Sequence, residues 1–477
     1  MDKYRYILLI GSLLLATVFG FSTPFSIMPE VPPIFQFHDE GVVALRPLAE
    51  IIGAKITVDK GIVTAARNGK SFSCSESSKQ AKQNGVPDTL PIAPFTRQGI
   101  LYVPVEPLME ALGGRYALGM NQDRPRTATM SLPGVKPLTL KVYNYQSGRP
   151  DTIRINSALF IVRIDGSSQR QLSFDGNNID QIALSSDGMM LASAPTFGTM
   201  LLRKTNDPCA VTIFSTPPSD LYGYSSLSFS PDNHRLLFSC ECRITGSRRR
   251  NYVFYVNTDG SDQRYLTEGF NPRWSPDGRF IALADYDNNN QLKSYLFDVN
   301  TEQCKEVAMG CFPSFAADGK SLLIYKKYSK PHADPKDNDP YYYLNASIPL
   351  DANGAVAGPE RELTPQNRLE SEWNGCCHPH ESSFVYANGH GIFIANLEDR
   401  TNKRLVVPAA GTFISAPVFS LDGQHIAFRR QDKSGSSIWI VNTDGSGMKR
   451  LIPNRNVESF VFTPDGKSLL YTGMMEK

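Results

Sequence analysis

An excess of either charge is missing from this chain. Its 477 residues hold 49 Lys and Arg against 47 Asp and Glu, a formal net charge of +2. No whole-protein positive field exists to attract a polyanion, which argues against a nucleic-acid partner. A hydrophobic run long enough to span a bilayer is missing too. The longest, Tyr6 to Phe21, is about sixteen residues, short of the roughly twenty a spanning helix needs. Catalytic signatures are also lacking. There is no G-x-S-x-G elbow, no H-E-x-x-H helix and no Gly-rich phosphate loop after a strand. Seven histidines yield a single H-x-H pair, His378 and His380. No cofactor and no metal site is therefore expected. What the chain does have is glycine (36) and proline (33) in quantity, with 41% hydrophobic residues. That is enough to bury a sizeable core, and the turn-forming residues favour many short strands.

Lys3 and Arg5 ahead of the apolar run give residues 1–30 the pattern of an export signal. Whether it is cleaved is left open. No cysteine follows the run, which argues against a lipoprotein anchor. Contact with a membrane is expected only through this segment, if it is retained. The expected location is extracytoplasmic, either secreted or held by an uncleaved signal.

A duplication follows, within a small α+β domain assigned to residues 31–145. Leu45-Arg-Pro-Leu-Ala-Glu-Ile-Ile-Gly53 aligns with Val105-Glu-Pro-Leu-Met-Glu-Ala-Leu-Gly113 at a constant offset of 60. Each copy predicts a short helix with proline near its first turn and glycine at its C-terminal end, preceded by a strand. Lys60-Gly61, between Lys55–Asp59 and Ile62–Ala66, predicts a hairpin turn. The duplicated motif resembles the copper amine oxidase N-terminal-like domain over roughly residues 35–132. The resemblance implies a stalk module without chemistry of its own, since copper and quinone belong to a separate domain of the oxidases. Asn144-Tyr145 is followed by Gln146 where the oxidase cofactor motif has an acidic residue.

From about residue 146 to 477 the chain repeats. An apolar residue three positions before an Asp-Gly turn recurs at Leu184, Phe229, Trp274, Phe315, Cys377, Phe419 and Phe462. The Asp positions are 187, 232, 277, 318, 380, 422 and 465, with His380 and Glu381 replacing Asp-Gly in one copy and Asn233 replacing the glycine in another. Their intervals of 45, 45, 41, 62, 42 and 43 residues match four-stranded propeller blades. The apolar residue is expected to fill the space between blades. A second turn recurs as Val162-Arg-Ile-Asp-Gly-Ser, Val256-Asn-Thr-Asp-Gly-Ser and Val441-Asn-Thr-Asp-Gly-Ser. The unit resembles the WD-like repeat of TolB-type β-propellers.

The expected fold is thus mainly β: a seven-bladed propeller behind the duplicated α+β stalk. Six blades is the alternative, because TolB-type propellers more often have six. Ala158–Leu172 supplies only a third and a fourth strand, and Phe460–Thr472 only a first and a second. Together they would close one blade, leaving no open sheet edge.

Irregular material is expected in the loops between second and third strands. Cations and aromatics gather there, at Arg243, Arg248, Arg249 and Arg250 and at Tyr341, Tyr342 and Tyr343, the last three ending an insertion from Lys326. This face is the predicted binding surface. Asp285-Tyr-Asp-Asn-Asn-Asn290 lacks the glycine and terminal glutamate of an EF-hand loop, so calcium is not expected. Cys376-Cys377-His378-Pro379-His380 has a zinc-like inventory, but its histidines stand in the Ser and Asp columns of the repeat. Cys304 and Cys311 are the best local candidates for a disulfide. The resulting expectation is an exported, non-enzymatic binding or scaffold protein that engages a protein, peptide or glycan at or beyond the cell surface. Its rival is a lyase or hydrolase acting from the propeller pore on an extracellular polymer.

Overall fold

The computed structural model describes residues 27–474 apart from 31, 38–39, 98, 122–123, 145–156, 174–178, 196–199, 208–210, 214–220, 243–249, 288, 330–340, 364–374, 389–390 and 454–455. Both halves of the duplication are helical, α1 over Leu45–Ile52 and α2 over Val105–Ala111, and each follows directly on a strand. Their ends repeat bond for bond. Gly53 N–H donates to Glu50 O and Ala54 N–H to Ala49 O, as Gly113 does to Glu110 and Gly114 to Met109. Gly53 and Gly113 adopt φ of 69° and 79°, the left-handed conformation that closes a helix without Cβ strain. The buried faces also match at an offset of 60, with Leu45, Leu48 and Ala49 answering Val105, Leu108 and Met109. They pack with Phe72, Val103 and Leu140 in one core. A seven-stranded sheet and a five-stranded meander frame the helices. The meander opens with the expected hairpin, Lys60 and Gly61 both at positive φ.

Seven four-stranded antiparallel sheets follow among the described residues. In chain order they span 179–213 (blade 1), 221–268 (blade 2), 270–309 (blade 3), 311–362 (blade 4), 375–406 (blade 5) and 413–452 (blade 6). Blade 7 joins the two ends of the repeat region. Strand Ser157–Arg163 pairs antiparallel with Ser468–Met474, with Phe160 opposite Tyr471, and Phe460–Phe462 and Arg170–Gln171 complete the sheet. Phe160 and Tyr471 stack at 5.1 Å between ring centres. This is the predicted closure, and it fits seven blades rather than six.

The Asp-Gly turns repeat one hydrogen-bond scheme. In blade 3 the Ser275 hydroxyl donates to Asp277 at 2.5 Å and accepts the Phe280 N–H at 2.8 Å, while Asp277 also accepts the Arg279 N–H. Ser185, Ser230, Ser420 and Thr463 bond Asp187, Asp232, Asp422 and Asp465 in the same way. Gly278 has φ of 73° and Asn233 of 61°. In blade 5, His378 takes the serine column. Its Nδ1 accepts the N–H groups of His380 and Glu381, and its ring packs on Phe419. The fold thus employs His378 as a turn cap.

Two expectations change. Cys304 and Cys311 are both free thiols. Cys304 lies on the outer strand of blade 3 and Cys311 opens the inner strand of blade 4, so the chain crosses from rim to centre between them. Tyr341–Tyr343 do not end a loop. They open the third strand of blade 4, paired with Ser329, Tyr328 and Lys327. The residues three before each Asp sit, as expected, in the hydrophobic clusters between neighbouring blades.

One element had no sequence signal. Ile27–Glu30 lies against the propeller at the junction of blades 7 and 1. Ile27 is fully buried among Leu159, Leu172, Ile182 and Leu470. Met28 N–H donates to Thr205 O, and Glu30 N–H to Leu172 O. Buried Arg203 donates to Met28 O at 2.8 Å and lies 3.8 Å from the Glu30 carboxylate. The expected export signal covers residues 1–30; residues 1–26 lie outside the described residues, and the last four of that segment, Ile27–Glu30, belong to the folded protein. No helix among the described residues is long and apolar enough to cross a membrane.

Candidate binding site in the propeller channel

The first strand of each blade lines a central channel, and in four blades that strand carries the same irregularity. Register slips by one residue between Ser225 and Ser228, Phe270 and Arg273, Cys311 and Ser314, and Ser415 and Val418. The bulged residues Ser226, Asn271, Phe312 and Ala416 have φ between 51° and 55°. Proline follows three of them, as Pro272, Pro313 and Pro417. A bulge leaves the extra residue outside the ladder, so a residue without an N–H is tolerated there. Adjacent bulges are tied together where the Ser226 hydroxyl donates to Asn271 Oδ1 at 2.7 Å.

Beyond the bulge, the next side chains face inward. Blades 1 to 7 supply Ala183, Ser228, Arg273, Ser314, Cys376, Val418 and Val461 at equivalent places, one residue before each apolar anchor, and all seven line one cavity of about 660 Å³. Six are small and neutral, and the seventh is an arginine. The cavity opens on the face of the Asp-Gly turns; Phe229 and Trp274 are partly exposed on its wall, and Phe315, Phe419 and Phe462 lie buried behind it. Towards the bulges a narrower cavity of about 300 Å³ continues, walled by Asn271, Arg273, Phe312, Ser314 and Ala416. Arg273 reaches both. Its side chain meets channel water, yet protein encircles it, and this desolvation holds its pKa below the usual arginine value.

The other ionisable groups on the wall are His378, committed to its turn, and the thiols of Cys376 and Cys377. Burial raises both thiol pKa values, so they are neutral and weakly nucleophilic near pH 7. No carboxylate lines this cavity among the described residues.

The seven residues predicted from sequence lie elsewhere or outside the described chain. Arg243, Arg248 and Arg249 fall outside the described residues. Arg250 opens the third strand of blade 2, exposed and ion-paired with Glu268, which raises its pKa. Tyr341–Tyr343 stand on the blade 4 hairpin. The channel ring was missed, although a signal existed. Asn-Pro-Arg-Trp, Phe-Pro-Ser-Phe and Ala-Pro-Val-Phe place proline two residues before the anchor and mark both the bulge and the inward residue.

Comparison with known proteins gives partial likenesses. A stretch of 121 residues is 31% identical to dipeptidyl-peptidase 5 of Porphyromonas endodontalis, covering 24% of this chain and 17% of that protein. TolB from Acinetobacter baumannii superposes with a TM-score of 0.37 at 10% identity, over 89% of this chain and 82% of that one. The propeller domain of the trilobed protease from Pyrococcus furiosus gives 0.44 at 10% identity, over 59% and 88%. The propeller fold rests on the sheet order itself. Residues 25–120 match the family model of the copper amine oxidase N-terminal domain, so the chain joins a domain of that kind to a seven-sheet β-propeller.

Proposed function

We propose that this is an exported, non-enzymatic binding protein whose propeller channel, entered from the Asp-Gly turn face, takes a segment of a protein, a peptide or a glycan. The observation that carries this reading is the convergence of seven first strands on one open cavity with small, neutral walls and two partly exposed aromatics, Phe229 and Trp274. Its volume lies in the range of ordinary ligand sites. Catalysis in the channel would call for convergent acids and bases. The described lining offers instead one arginine, a histidine used as a cap and two thiols whose pKa values burial has raised. The export signal read in residues 1–30 supports a location beyond the cytoplasm. The N-terminal domain would then hold the propeller away from its point of attachment.

Occlusion tests the channel. Replacing Ser314 by Trp fills the ring where both cavities meet. The variant should melt close to the parent and lose binding of peptides or oligosaccharides selected on the intact protein. Replacing Tyr341–Tyr343 by Ser should leave that binding unchanged. Loss of binding in the second variant alone would return the site to the opposite face.

A further inference from the structure

Arg273 is the one departure from a ring of small side chains. Its six counterparts are Ala, Ser, Ser, Cys, Val and Val, which leave the space that the guanidinium occupies. No described residue pairs with its charge or accepts a hydrogen bond from it. The nearest ionisable neighbour, Cys376, carries a thiol whose burial disfavours the thiolate. The side chain is exposed to the solvent of the channel, so its charge is available to an incoming anion without first breaking a pair with protein. Nothing in the packing of the wall explains a long cation here, since the other six blades form the same wall without one. An anionic group entering the channel would meet an unpaired cation there.

We propose that the channel recognises the free C-terminal carboxylate of a peptide, seated on Arg273, with an apolar last residue held against Phe229 and Trp274. This rests on the channel reading above. A guanidinium offers a planar pair of donors that matches a carboxylate. Phe229 and Trp274, on the preceding blade and on the blade of Arg273, are partly exposed and provide apolar surface next to the charge. The bulged first strands at Asn271, Phe312 and Ala416 leave backbone groups outside the ladder along the narrower cavity, and a peptide backbone complements these. An acidic sugar shares the carboxylate but has little use for that apolar surface.

The test uses the full chain and a panel of pentapeptides ending in Phe or Leu, each as free acid and as C-terminal amide, with an oligogalacturonate in parallel. Calorimetry reads affinity, and fluorescence of Trp274, beside Arg273, reports occupancy. Free acids should bind about tenfold or more tightly than their amides, the scale of one charge-assisted hydrogen-bonded pair. Arg273→Gln should abolish that difference by weakening the free acids, with the melting temperature unchanged, and Arg273→Lys should restore part of it. Equal affinity of acid and amide, blocked in both cases by Ser314→Trp, would overturn the carboxylate inference and leave the channel reading intact. Peptide binding that Ser314→Trp does not affect would overturn both. Absence of peptide binding, with or without binding of the oligogalacturonate, would overturn the peptide assignment.

Discussion

Ser275 and Asp277 share the closing of one turn, and the same pair recurs around the ring. The hydroxyl both donates to the carboxylate and accepts a backbone N–H. Ser275→Ala should therefore cost about 1–2 kcal/mol, the range for a partly buried hydrogen-bonded group, measured by denaturant unfolding. The turn itself should survive, as blade 4 keeps it with Ala316 in that column and Lys320 N–H still on Asp318. The carboxylates also carry a pH signature. The Ser230 hydroxyl holds Asp232 below the usual aspartate range, and Ser167, Ser261 and Ser446 do the same for Asp165, Asp259 and Asp444. A carboxylate whose pKa is depressed in the folded state contributes stability above its unfolded pKa of about 3.9 and loses it as pH falls through the folded value. These groups are largely exposed, so each contribution is small and the signature lies in their sum. The melting temperature should be level from pH 6 to about pH 4.5 and fall steadily below about pH 4. A flat profile to pH 3 would contradict this. At this scale the sequence was readable for the turns, because Ser-Pro-Asp-Gly encodes its own bonds. It was unreadable for Arg273, which stands out only against what six distant residues lack.

Elements show where reading the sequence succeeded and where it stopped. Helices α1 and α2 were legible because Pro, Leu, Glu and Gly recur at one offset, and local chemistry sets both ends of each. The strap Ile27–Glu30 was not legible, since its partners Leu172, Arg203 and Thr205 lie more than 140 residues away and no periodicity links them. Tyr341–Tyr343 were assigned to a loop because the insertion hid the strand boundary. Pairing with Lys327–Ser329 extends the blade 4 hairpin past that boundary. The strap predicts a strong response to mutation. Glu30→Gln removes the nearest carboxylate from a buried arginine and should cost about 3 kcal/mol, because an uncompensated buried charge remains. Arg203→Met together with Glu30→Gln should recover much of that loss. If a signal is removed, the cut must fall before Ile27 for the strap to dock, which mass spectrometry of the exported protein can verify. Links between blades are equally sensitive. Gly310 has φ of 130°, and a Cβ there would lie 2.7 Å from Tyr325 O. Gly310→Ala should destabilise by about 1–3 kcal/mol through backbone strain alone.

The whole molecule depends on a join that spans its length. Ala158–Val162 and Leu469–Gly473 are separated by some 300 residues and form the middle pair of blade 7. Tyr471 and Leu469 are fully buried, with Phe160 and Ile440 in the same core. Without that pair, blade 6 and blade 1 would expose their inner faces and the channel would lose one wall. The closure could be anticipated because the first repeat lacked two strands and the last lacked the other two, so only pairing of the ends completes a blade. The proposed ligand site depends on the same geometry, since an open ring has no enclosed cavity. Calorimetric unfolding of the chain lacking its last fifteen residues is therefore the most direct measurement. The prediction is loss of the cooperative propeller transition. A truncated chain that melts with the parent's midpoint and enthalpy would contradict a ring closed by its own two ends.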